Sequence, residues 1–130
     1  MDDVRPDADV LQFFDGHRAA LGTYLALEAR LRERFPVVER RVQKTQITFF
    51  ARRVFACVSF ARVRRKAELP ESYLVVTLGL PAPLDSNRVA VCVEPYPNRW
   101  THHIVVGGPD ELDDELLAWI GEAYAFAASK

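Results

Sequence analysis

Residues 40–66 read RRVQKTQITFFARRVFACVSFARVRRK, and the alternation within this stretch decides the fold class. β-branched or aromatic runs at 37–44, 46–51 and 54–60 are separated by turn-sized gaps, with Arg52 and Arg53 at the tight turn between the last two. Links this short permit hairpins and not crossovers, so three antiparallel strands are expected. The stretch carries nine Arg or Lys and no acid. Against its +9, the other 8 basic residues and all 18 acids sum to −10, which gives the chain's net −1. The positive charge therefore rides on strands and turns, not on a disordered tail.

Three further strands are expected toward the C-terminus. In 73–80, Leu74, Val76, Leu78 and Leu80 alternate with Tyr73, Val75, Thr77 and Gly79, and Pro81 and Pro83 close the run. In 88–94, Val89, Val91 and Val93 oppose Arg88, Ala90, Cys92 and Glu94, which is the pattern of a half-buried strand. A PYPN turn leads to 100–106. A terminal helix follows, with Pro109 at or near its first position and Asp110, Glu111, Asp113, Asp114 and Glu115 at the positive end of its dipole. Leu112, Leu116, Trp119, Ile120, Ala123 and Ala127 form its apolar stripe.

Toward the N-terminus, residues 1–8 lack periodicity and are expected to fray, and 9–14 form one or two helical turns ended by Gly16. Residues 18–34 form a long helix with Ala20, Tyr24, Leu27 and Leu31 on its apolar face, an i,i+4 pair from Glu28 to Arg32, and Pro36 as the stop. Helices, then strands, then a helix predict an α+β fold. The expected architecture is a mostly antiparallel meander sheet of five to six strands with N-terminal and C-terminal helices packed on one face, residues 9–130 forming a single domain.

At 130 residues, 49% hydrophobic and 27% charged, the chain has the balance of a globular protein, not a disordered one. It has no membrane-length apolar run, and its acidic start lacks the build of a signal peptide, so a cytoplasmic location is expected. Cys57 and Cys92 are read as reduced, buried small residues, and their separation shows no metal spacing. No cofactor is implied.

Lys44-Thr45-Gln46 followed by FFARRVFACVSF resembles the domain of unknown function 5655, an uncharacterised bacterial family. LQFFDGHRAALGTYLAL, NRWTHHIVV and ELDDELLAWIGEAYAFA are similar to further stretches of that family, so the likeness runs from about Leu11 to Phe126. The resemblance implies an accessory role and carries over positions without an activity: Lys44, Thr45, Gln46, Trp100, His102 and Tyr124. His103 beside His102 and the basic loop from Arg62 to Lys66 depart from the family pattern.

Lys44, Gln46, Trp100, His102 and Tyr124 are the candidate ligand-binding residues, with Lys44, Gln46 and His102 converging on a carboxylate or phosphate if the first and last strands curl together. Two-residue alternation points His102 toward apolar neighbours and His103 the other way. Arg52, Arg53, Arg62, Arg64, Arg65 and Lys66 form a candidate basic surface, divided between the two ends of one strand. No helix-turn-helix, zinc knuckle or aromatic RNA-binding motif accompanies it, so nucleic acid is the less favoured partner. The leading functional reading is a binding module for an anionic small molecule, nucleic acid or a protein partner through the sheet face. A small enzyme using His102 as general acid or base is the alternative, and homodimerisation through an exposed sheet edge or aromatic surface is a third class.

Overall fold

The computed structural model describes residues 7–129. Three α-helices, α1 (Ala8–Phe13), α2 (Arg18–Arg34) and α3 (Asp114–Ala128), accompany six strands: β1 (Glu39–Val42), β2 (Gln46–Phe50), β3 (Val54–Ser59), β4 (Leu74–Leu80), β5 (Val89–Tyr96) and β6 (Arg99–Val106). The strands form one antiparallel sheet in the order β1-β2-β3-β4-β6-β5. The fold is therefore α+β. Of residues 1–8, expected to fray, 1–6 lie outside the described residues, and α1 already begins at Ala8.

Hairpins join the first four strands, but β6 inserts between β4 and β5, so the sheet is not a simple meander. Both neighbours run antiparallel to β6, which makes β4 and β5 parallel to each other. Leu80 pairs with Trp100 whereas Val89 pairs with Ile104, so residues 81–88 travel back along β6. Pro81 and Pro83 suit this path, because neither offers the N–H that a tight hairpin ladder would need. β4 is the most buried strand, central in the sheet, and its sequence LVVTLGL is a nearly continuous apolar run broken at Thr77, the one position of the strand that is not buried.

One hydrophobic cluster lies between the sheet and the helices. Tyr24, Leu27 and Leu31 of α2 and Leu116, Leu117 and Ile120 of α3 meet Ile47, Phe49, Val58, Val76, Leu78 and Ile104 of the strands. Gly16 turns the chain between α1 and α2 at φ +83°, where a side chain would be strained. Two sequence expectations are corrected at element ends. Pro109–Glu111 is a separate 3₁₀ turn, and α3 starts only after Asp113, whose carboxylate accepts the Leu116 N–H at 3.0 Å. Lys44 lies past the end of β1 in the β1–β2 turn, which the Gln43 N–H closes by donating to the Gln46 carbonyl at 2.9 Å.

β5, one edge of the sheet, exposes Val93 and Tyr96. Pro95 lacks an N–H and two register irregularities break the pairing of β5 with β6, so this edge is a poor template for another strand. Among the described residues no helix is long and apolar enough to cross a membrane.

Candidate functional site

The sheet face turned away from the core carries a polar row. By register Thr48 faces Cys57, Cys57 faces Thr77 and Thr77 faces His103, so one line of side chains crosses β2, β3, β4 and β6. Thr48 Oγ1 donates to Gln43 Oε1 at 2.7 Å and Gln46 Nε2 donates to Thr48 Oγ1 at 3.0 Å. Thr77 Oγ1 lies 2.9 Å from His103 Nδ1. Burial raises the Cys57 thiol pKa, only partly offset by Thr48 and the positive charge of Arg99, so this sulfur stays a thiol near neutral pH.

At one end of this row a cavity of about 580 Å³ opens beside the β1–β2 turn. Lys44 and Gln46 line it, together with His17, His103, Phe60 and Asp15. The Phe60 ring is held from both sides, stacked on His17 at 3.8 Å and on Phe13 at 5.3 Å between centroids, so the aromatic wall is built before any ligand arrives. Gln46 spends its amide nitrogen within the cross-strand network, leaving its carbonyl oxygen for a ligand. Burial, then the neighbouring His102, lowers the His103 pKa. With Nδ1 engaged by Thr77, the neutral ring leaves Nε2 for a ligand, as a donor where Thr77 donates to Nδ1 and as an acceptor in the other tautomer.

His102 does not join this site. It shares the core face with Ile104 and Val106, is fully buried, and accepts the Leu84 N–H at Nε2 at 3.0 Å. Its position explains the path of residues 81–88: the segment crosses β6 on the core side, and the imidazole clasps it midway. With Nε2 accepting, Nδ1 carries the proton, and among the described residues it finds no well-formed hydrogen bond. Burial lowers the His102 pKa, against smaller opposing effects of the Leu78 and Trp100 backbone, which fits a neutral structural histidine.

The other sequence candidates lie elsewhere. Trp100 is half-buried on the His102 face, at the end of β6 that pairs with Leu80. Tyr124 stacks on Phe35 at 4.3 Å and donates to the Val37 carbonyl at 3.1 Å, at the far end of β2 from Lys44, where it lines a second cavity with Arg52 and Arg53. Arg62, Arg64, Arg65 and Lys66 surround a shallow depression of about 680 Å³ beyond the other end of β3. Arg64 donates to the Asn87 carbonyl at 3.1 Å and Arg65 lies 3.6 Å from Glu68, so this patch is partly engaged by its own chain. Sequence reasoning passed over His17, Phe60 and Asp15. Only His103 had a signal, its alternation to the face opposite His102.

A family model for a domain of unknown function (DUF5655) matches residues 10–127. The chain belongs to this family. No curated protein and no solved structure matches it, so membership of DUF5655 brings a domain-length likeness and no activity to transfer. The matched span holds the polar row, all the sequence candidates and the histidine-clasped crossover. Among the described residues no group of three or more His, Cys, Asp or Glu could hold a metal ion.

Proposed function

We propose that this DUF5655 member is a binding module that takes an anionic small molecule in the cavity beside the β1–β2 turn. The observation that carries the reading is the convergence of Lys44, His17 and His103 around one cavity with a preformed aromatic wall. Lys44 supplies a full positive charge, the two imidazoles supply ring nitrogens for hydrogen bonding, and the edge of Phe60, whose faces are stacked on His17 and Phe13, supplies apolar contact. Few polar groups in a concave, partly apolar site are the usual make-up of a small-ligand pocket. Asp15 at the rim disfavours a long polyanion and suits a compact ligand with a hydrogen-bond donor of its own. The acid–base reading of His102 has no support in this geometry, because Nε2 is occupied and the ring is sealed from solvent.

The test is an amide-resolved NMR titration with inorganic phosphate and with adenosine monophosphate. Saturable shifts are expected at Lys44, Gln46, Ser59, Thr77 and His103, and they should vanish in Lys44→Ala while the thermal melt stays unchanged. Absence of saturation up to about 10 mM would leave less than about 3 kcal/mol of binding and end the proposal.

A further inference from the structure

A second cavity, of about 470 Å³, lies where the β2–β3 turn meets the end of α3. It is more apolar and more enclosed than the cavity at Lys44. Phe55, Tyr124, Val37 and Ala127 line it, and Arg52 and Arg53 stand at the turn beside it. The walls are fixed: Tyr124 is held by the Val37 carbonyl and packs edge-on against Phe55 at 4.9 Å between centroids. The two arginines are exposed and, among the described residues, have no ion pair or side-chain hydrogen bond. By contrast Arg32, Arg40 and Arg88 are all paired with acids.

We infer that this cavity binds a monocarboxylate with an apolar body, of the alkanoic-acid class. The apolar part fills the space between Phe55 and Tyr124, and the carboxylate meets the Arg52 and Arg53 guanidiniums at the mouth. The volume falls within the ordinary range of small-ligand pockets, about 300–1,000 Å³. Guanidinium is the side chain best matched to a planar carboxylate, through two parallel N–H donors. This cavity shares no lining residue with the one at Lys44.

Isothermal titration calorimetry with hexanoate, octanoate and decanoate, each below its micelle concentration, tests the inference. Each added methylene should tighten binding about threefold to fourfold until the cavity is full. The double variant Arg52→Gln/Arg53→Gln should melt like the wild type and bind octanoate about tenfold or more weakly, whereas Lys44→Ala should bind it unchanged. The inference is overturned if no saturable heat is seen, if octanol or decylamine binds as tightly as the acids, or if the double variant keeps full affinity.

Discussion

Glu28 shows how much one side chain decides. It is buried on α2, yet it is ionised: Tyr24 donates to it at 2.7 Å, Arg32 at 2.9 Å and Arg40 at 2.7 Å. Burial alone would raise its pKa, but these three donors outweigh burial and hold the carboxyl below its ordinary range. Arg40 reaches it from β1 and also pairs with Asp7, so one guanidinium ties the sheet edge to α2 and to the start of α1. Glu28→Gln removes one of the two carboxylates that hold the partly buried Arg40 and should cost about 2 kcal/mol, read from the midpoint of urea unfolding. His102→Ala should lower the melt as well, by about 2–3 kcal/mol, through the lost Leu84 acceptor and the space left behind. If His102 served only a ligand, that variant would melt unchanged. Acid should expose both groups in turn. His102 and His103 have depressed pKa values, so their contribution is complete above the unfolded imidazole value of about 6.5 and is lost as pH falls through the folded values. Glu28 adds a second loss below the unfolded carboxyl value of about 4.3. Melts from pH 8 to about pH 2 should therefore fall in two stages, and the first should be smaller in His102→Ala.

Among the elements, α3 has the most to hold. Leu116, Leu117, Ile120 and Ala123 are buried against the sheet, while Trp119 lies at the margin with the Arg88 guanidinium 5.7 Å from its ring centre. Trp119→Ala should cost about 3 kcal/mol, the low end for a large aromatic because one edge is wet; an unchanged thermal melt would show that the ring carries no packing. Asp113 has two tasks, capping α3 through the Leu116 N–H and pairing with Arg88 at 2.7 Å. Arg88 also donates to the Glu111 carbonyl at 2.7 Å, so the end of the crossover segment is pinned to the start of α3. Asp113→Ala should cost about 1–2 kcal/mol in the melt, more than a cap alone if the Arg88 contact matters. Asp113→Asn, which keeps the cap and drops the charge, separates the two contributions.

For the molecule as a whole, the candidate basic residues divide between the ends of β3, and two acids meet the end of the crossover. Arg52 and Arg53 lie at one end, Arg62 to Lys66 beyond the other, and Asp113 and Glu115 gather at Arg88. A nucleic-acid site would need these arginines on one continuous surface, and only the depression at Arg62 to Lys66 is locally dense. Labelled DNA or RNA at about 50 mM salt should therefore show no micromolar binding. A steep salt dependence, with a log–log slope of about −0.7 to −0.9 per phosphate neutralised, would overturn this expectation.

The α+β class, the six strands, α2 ending at Pro36 and the apolar stripe of α3 were all legible in the sequence, because alternation, caps and proline act over a few residues and need no partner. Opposed directions for His102 and His103 also follow from strand geometry. The sequence did not show which strand β6 would pair with, since pairing across residues 81–88 depends on what the core leaves open, and that insertion made His102 a clasp. Nor could it show that Tyr124 meets Arg52 and Arg53 while Lys44 meets His17 and His103. Those groupings join residues far apart in the chain, and they come from packing α1, α2 and α3 against a strand order that no local pattern encodes.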